Sequence, residues 1–561
     1  MQFLADVFVT CEVCQGSRFQ DSVLSVRYLG KNVDGKTIHQ LTAMTASELL
    51  AFFTAAKFEK RLSAVVQPVL KELKSRLELV TSIGLDYLPL DRDAGTLSGG
   101  EAQRLRLAKA LGSPLSGVCY ILDEPSIGLH PQDHDQLLQT LYELRDRGNT
   151  VLIVEHDEDT IRAADHIIDV GPHGGTDGGS IVYTGTVAGI EACEESLTGQ
   201  ALAERSRSLP FAAKTTAPKA LIELSSASAN TLRNVDVEFP HQQLSVICGV
   251  SGAGKSSLIH GSLVPAIVEC FEGEDERAKF YDKTWGELSG LDSIERFVEI
   301  DQSPIGKTRT STPLSYLKIF DLIRKAYAAT NEAKTRGWTA SHFSYNTGKG
   351  RCDDCGGRGS IVVPMSFLPD AETPCETCDC LRYNEETLLV EYQGFSLGAL
   401  MQLTFDEVYE VFKNHSKIER SLKYVLDLGL GYLGVGQPTY TLSGGEAQRI
   451  KIAKELGLRE AKNTLYILDE PTIGLHMTDV EKLRNVLSRL IDAGNTVIVI
   501  EHNMDIIRSA DHLIEMGPGP GEAGGRVLFQ GAPKKLALRK KGSPTQSFLA
   551  QGVEPAKRAN S

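Results

Sequence analysis

No apolar run in the 561 residues approaches the roughly 20 needed to cross a bilayer, so a role at a membrane would require a partner. Residues 1–14 lack the basic segment and apolar core of an export signal. Net positive charge is missing too. A formal charge of −14 argues against a uniformly basic nucleic-acid coat and leaves room only for a local basic surface. Disulfides are not expected, because a large chain without an export signal keeps its thiols reduced, and the clustering of the 11 cysteines points to metal instead. No glycine-lysine phosphate loop preceded by a continuous apolar strand is expected before Gly249. Composition is otherwise that of an ordinary globular protein, 41% hydrophobic and 24% charged. The length suits roughly three or four domains.

The stretch that begins at Leu244, LSVICGVSGAGKSSL, reads as a buried strand, a glycine loop and a helix start. Gly249, Gly254, Lys255 and Ser256 satisfy G-x-x-x-x-G-K-[ST] at every specified position, with Gly252 inside the loop and Ser257 directly after it. Small residues let backbone N–H groups turn inward around a polyphosphate at a helix N-terminus. Lys255 then reaches the β/γ-phosphates and the Ser256 hydroxyl can ligate magnesium.

Self-comparison reveals a tandem repeat. TLSGGEAQRLRLAKALG from Thr96 recurs as TLSGGEAQRIKIAKELG from Thr441, and CYILDEPSIGLHPQD from Cys119 recurs as LYILDEPTIGLHMTD from Leu465. NTVLIVEHDEDTIRAADHIIDVGPHGG from Asn149 recurs from Asn495, so the offset is 345 or 346 residues throughout. MQFLADVFVTCEVC at the start aligns with MSFLPDAETPCETC from Met365, offset 364. The first copy thus lacks a Walker A segment and half of a cysteine cluster, and gains about 19 residues in a helical stretch around 59–80. The domains expected are 1–190, the back of a first copy; 191–220, a polar linker; 221–542, a full second copy; and 543–561, a frayed tail.

LYILDE is an apolar strand ending in Asp469, which would orient magnesium, and Glu470, which would polarise an attacking water. Asp123 and Glu124 are their counterparts. His502 and His156 follow buried strands and could touch a γ-phosphate; Gln302 lies where a metal and water sensor belongs. Ser98-Gly99-Gly100 and Ser443-Gly444-Gly445 each open a helix, a second anion-binding start. Together these motifs resemble the ATP-binding cassette ATPases, in the order Walker A, Q-loop, LSGGE signature, Walker B and H-loop. The resemblance implies ATP sandwiched between Lys255, Ser256, Gln302, Asp469, Glu470 and His502 on one side and Ser98, Gly99 and Gly100 on the other. A second, incomplete site would join Ser443, Gly444 and Gly445 to Asp123, Glu124 and His156, awaiting a lysine loop from elsewhere.

Cys352, Cys355, Cys375 and Cys378 form C-x2-C-x19-C-x2-C, the spacing of a tetrahedral structural zinc, in a module at about 345–390. Cys380 is a spare thiol, and Cys11 and Cys14 match only the second knuckle. Cys119 and Cys248 sit in apolar strand patterns and are expected as buried hydrophobes. Residues 307–358 carry ten basic against four acidic side chains, among them Lys307, Arg309, Arg324, Lys325, Lys349, Arg351 and Arg358. Tyr316, Phe320, Tyr327, Trp338, Phe343 and Tyr345 are interleaved, suited either to stacking at bases or to a core beneath a solvated face. Walker A, DQSPIG, RCDDCGGRGS, FLPD, CETC, RYNEETL and LSGGEAQR in this order resemble the UvrA family.

The fold so implied is α/β: tandem cassette nucleotide-binding domains of the P-loop NTPase fold, the first incomplete, with an embedded zinc-binding module. The resemblance implies a cytoplasmic, homodimeric ATPase of nucleotide excision repair that uses ATP, Mg2+ and Zn2+. Such a protein would bind distorted double-stranded DNA, load the helicase-like UvrB and not itself be a nuclease. Alternatives are a paralogue outside excision repair, for instance one conferring resistance to DNA-binding drugs, or a UvrA fragment that does not bind UvrB. Tandem-cassette translation factors and transporter motors lack the embedded zinc module.

Overall fold

The structure is a computed structural model that describes residues 11–550 apart from 31–32, 58–59, 95–98, 113–115, 173, 176–177, 205–210, 212–217, 219, 273–282, 307, 364, 366–370, 458–461 and 540–541. Its centre is a six-stranded sheet in the order Arg296–Ile300, Thr464–Asp469, Thr496–Ile500, Leu244–Gly249, His512–Gly517 and Arg526–Gly531, parallel except for the last strand. Every residue of Leu244–Gly249 and Thr496–Ile500 is buried, as a parallel sheet covered on both faces requires. Alternate residues divide between two cores. Tyr466, Leu468, Val497 and Val499 face one that includes Val480, Leu483, Leu487 and Leu490 of the helix Met477–Asp492. Ile467, Ile498, Ile500, Ile514 and Met516 face another, with Ile222 and Phe239 of an antiparallel three-stranded layer.

Among the described residues the first half repeats four of these six strands, without counterparts of Arg296–Ile300 and Leu244–Gly249. Cys119–Asp123 pairs in parallel with Thr150–Val154, and Ile167–Gly171 pairs antiparallel with Ser180–Gly185, as two separate sheets. In the second half the strand joining the corresponding pairs is Leu244–Gly249, the one that feeds the phosphate loop. One face of the first-half strands is packed, with Tyr120, Leu122, Val151 and Ile153 on Leu107, Leu137, Leu141 and Leu144. The other face is bare: Ile121, Leu152, Val154, Ile168, Val170 and Ile181 are all exposed.

That bare face corrects one expectation. Cys248 is buried but Cys119 is exposed, because the layer that would cover it is absent among the described residues. The helix Lys60–Ser82 and the helix Ala46–Ala55 pack on each other through Phe52, Phe53, Leu70 and Leu77 and fill the extra length before the first signature. Two boundaries shift as well. Within the expected linker, Leu197–Glu204 is a helix whose Leu202 packs with Ile190 and Met477. Within the expected tail, Thr545 is fully buried and Gln546–Ala550 is helical.

Candidate functional site

The loop after the central strand is shaped for an anion. Gly249, Gly252 and Gly254 have φ of +136°, +74° and +104°, left-handed backbone that only glycine adopts at little cost. Lys255 is buried and folded back, its Nζ donating to the carbonyls of Gly249 (2.9 Å) and Val250 (3.0 Å). Burial pushes its pKa down, while Glu470 and Asp133 pull it back up. Ser256 lies in the helix Lys255–Leu258, and the Ser257 hydroxyl accepts from Asn230 at 3.0 Å.

Asp469 ends the strand Thr464–Asp469, and its carboxylate meets Nε2 of His260 at 3.1 Å. His260 also meets Glu299 at 2.9 Å; these two carboxylates raise its pKa to about 10. Glu470 follows in a left-handed conformation (φ +45°), its N–H fixed on the Ile500 carbonyl at 2.9 Å. Burial, then the Asp469 charge, lift its pKa to about 7. His502 Nε2 stands 3.6 Å from Glu470 Oε1, and burial holds the imidazole well below its usual range, hence neutral. Nδ1 of His502 is buried without a hydrogen-bond partner. Glu501 braces this corner by accepting from the N–H groups of Thr472, His502 and Asn503 at 2.7–2.9 Å. Gln302 is half-buried beside Gly444 of its own half, 3.5 Å from where a Cβ on that glycine would lie.

Residues of the first half enter this site. Asp133 Oδ2 accepts from the Ser251 N–H of the phosphate loop at 2.9 Å. His130 lies edge-on to His502 with ring centroids 6.3 Å apart, and Glu470 reaches the turn at Gly128. Tyr87 packs on Gly252 and bonds Glu101 in the first turn of the helix Gly99–Leu111. Gly99 and Gly100 open that helix; Ser98 lies outside the described residues. Asp133, His130 and Tyr87 were not found from motif spacing. Comparing the two copies upstream of Thr96 would have found Tyr87, since GLDYL and GLGYL recur.

The second set of residues forms half of such a site. Ser443 caps the helix Gly444–Leu456 by a reciprocal box with Glu446, and Gly445 lies buried in its first turn. Asp123 ends the strand Cys119–Asp123; the next residue, Glu124, has the same left-handed backbone as Glu470 and lies 3.7 Å from His156. Burial raises the Glu124 pKa while His156 opposes the shift. Glu124 and Glu470 both line a cavity of ≈ 280 Å3 on the seam between the halves.

The cysteine expectation becomes a closed cluster. Sγ atoms of Cys352, Cys355, Cys375 and Cys378 lie within 4.8 Å of one another and are buried, with pairs at 4.0 and 3.7 Å. A tetrahedron of thiolates around zinc has edges of about 3.8 Å, so four ligands without an open position fit a structural ion. Cys380 stands apart from that set. The basic belt is only partly free. Lys325, Lys349 and Arg358 are exposed, as is Arg309, which has its own partner. Arg324 bonds the Ala340 carbonyl and Asp321, Arg351 bonds the Asn346 carbonyl, and Lys307 lies outside the described residues. Phe320, Tyr327, Phe343 and Tyr345 are buried core, so the interleaved aromatics chiefly hold the module together rather than face bases. Trp338 is half-buried and stacks on His342 at 3.9 Å.

No family model matches the chain. Curated proteins described as UvrABC system protein A are similar to nearly all of it. The one from Thermus thermophilus is 47% identical over 553 residues, covering 98% of this chain and 57% of the relative. The one from Staphylococcus epidermidis is 45% identical over 544 residues, 97% of this chain and 57% of the relative. The crystal structure of UvrA2 from Deinococcus radiodurans superposes with a TM-score of 0.87 at 41% identity, over 97% of this chain and 66% of that one. The chain therefore spans a little over half the length of the curated relatives it matches. Among the described residues no helix is long and apolar enough to cross a membrane.

Proposed function

Since the chain belongs to the UvrA family, we propose that it hydrolyses ATP and binds distorted duplex DNA in nucleotide excision repair. One observation carries the ATPase reading: the halves meet at the phosphate loop, with Tyr87 and Asp133 of the first on Gly252 and Ser251 of the second. Lys255, Ser256 and the loop amides would bind the β/γ-phosphates, and the helix start at Gly99 would meet the γ-phosphate from the opposite side. Magnesium would neutralise charge on the transferred phosphoryl group, held through Ser256 and Asp469. Glu470 would accept the proton of the attacking water, and neutral His502 would hydrogen-bond the γ-phosphate. The closed four-cysteine cluster would hold zinc and stiffen the module that carries Lys325, Lys349 and Arg358 toward DNA phosphates.

The other half-site would need a strand and lysine loop of the kind at Leu244–Gly249. The gap between Thr150–Val154 and Ile167–Gly171 is where the repeat would seat them. Homodimer formation and loading of a UvrB-like helicase belong to the same proposal. Pull-down with UvrB separates the excision-repair role from that of a paralogue. The decisive experiment measures ATP hydrolysis and duplex binding by the 561-residue chain and its Lys255→Ala variant. Lys255→Ala is expected to lose hydrolysis by at least about 100-fold, and duplex affinity to fall steeply with salt. Turnover that survives the substitution would reject the composite site, and a flat salt response would reject the basic belt.

A further inference from the structure

Resting on the composite-site reading, we infer that Tyr87 is a positioning residue that ties the first half's signature helix to the second half's phosphate loop. The chain builds the device twice. Tyr87 and Tyr432 occupy the same place in the two copies, in GLDYL and GLGYL. Each hydroxyl donates at 2.6 Å to the glutamate that follows its own S-G-G, Tyr87 to Glu101 and Tyr432 to Glu446. Burial raises both phenol pKa values, so the hydroxyls keep their protons and serve as donors. Bonds from a neutral donor to a buried carboxylate are among the strong hydrogen bonds of a protein.

Each ring rests on the other half. Tyr432 lies against Gly174 and Gly175, so close that a Cβ on either would come within 3.0–3.1 Å of it. Tyr87 lies against Gly521, the repeat of Gly175, where a Cβ would come within 3.3 Å. Glycine at these turns lets the tyrosine seat on backbone across the seam, through its ring at Gly174 and its Cβ at Gly175 and Gly521. In the second copy the glutamate visibly links ring to helix start: Glu446 Oε1 takes the Tyr432 hydroxyl, while Oε2 takes the Ser443 N–H at 2.8 Å. In the first copy Arg92 adds a contact to Glu101 Oε1 at 3.3 Å.

The two devices differ in one respect. Only the Tyr87 ring also abuts a phosphate loop, its edge 3.0 Å from where a Cβ on Gly252 would lie. A continuous line of contacts therefore runs from Gly252 through the ring and hydroxyl of Tyr87 to Glu101 and the helix Gly99–Leu111. A tyrosine ring is rigid, so displacement of the loop by a polyphosphate would be transmitted to the signature. Tyr87 thereby joins the signature helix to the phosphate loop, beside the Asp133 bond to Ser251.

Tyr87→Phe keeps the ring and removes the bond to Glu101. With wild type and Lys255→Ala as references, it is expected to lower kcat about tenfold while KM for ATP moves less than about twofold, since the loop lysine and its amides stay. The double variant with Glu101→Gln should be no slower than Glu101→Gln alone, because the two side chains act through one bond. Amide hydrogen exchange without nucleotide should quicken at residues 99–105 and 250–254 in Tyr87→Phe. A kcat within twofold of wild type, or additive losses in the double variant, overturns the inference. Unchanged exchange at those segments overturns it regardless of turnover. Hydrolysis by wild type no faster than by Lys255→Ala would sink the ATPase reading instead, with the exchange measurement still deciding the role of Tyr87.

Discussion

Glu470 owes its chemistry to where its strand stops. The Walker B strand buries five residues, exposes Asp469 partly, and then turns through a left-handed residue whose N–H is pinned to Ile500. Burial beside Asp469 brings the carboxyl to about 7, where a general base works best near neutrality. The protonated acid cannot take a proton from water, so kcat should rise with pH through about 7 and level off above it. Glu470→Gln should bind ATP, turn it over at least about 100-fold more slowly, and lose that rise. A wild-type rate flat from about pH 5.5 to 8.5 would remove Glu470 from the role of base. Lys255, Asp469 and Glu470 were legible in the sequence because motif spacing states their local geometry. Tyr87 was legible only as a recurrence between the copies, and its contact with glycines of the other half is not carried by spacing along one chain segment.

At the scale of elements, the zinc module shows which part of a pattern is informative. Four cysteines at knuckle spacing fixed their own meeting point, and the hairpin Ser360–Val363 with Ala371–Pro374 bridges the two knuckles. Aromatic residues scattered among basic ones fixed nothing of the kind. They divide into buried core (Tyr327, Phe343, Tyr345) and rim (Trp338), a division set by helix packing that composition does not encode. Leu197–Glu204 was read as linker for a related reason: a two-turn helix shows too little period, and its Leu202 finds Met477 far along the chain. Cys375→Ser should abolish stoichiometric zinc, measured by elemental analysis, because three thiolates leave an open coordination position. It should weaken duplex binding more than ATP hydrolysis, since the cluster lies outside the phosphate-loop site. An unchanged metal content would reject the ligand set.

The whole molecule is a comparison the chain makes with itself. Val170 and Met516 are the same position in two copies of one strand, yet Val170 is 64% exposed and Met516 fully buried. The difference comes from the layer at Ile222, Leu224 and Phe239, which covers the second sheet and has no counterpart on the first among the described residues. Ile121, Leu152, Val154, Ile168, Val170 and Ile181 are exposed on one face, and contiguous exposed apolar side chains are expected to favour association. Placing a carboxylate at each of the paired positions separates covered from bare. Met516→Asp should cost more than about 4 kcal/mol, because an unpaired charge enters a closed core, and should prevent folding of the second half. Val170→Asp should change stability by no more than about 0.5 kcal/mol and should reduce self-association in sedimentation velocity. Equal destabilisation by the two substitutions would mean the first sheet is covered in solution. The face beside the half-site at Glu124 would then be covered by an associated copy or another chain.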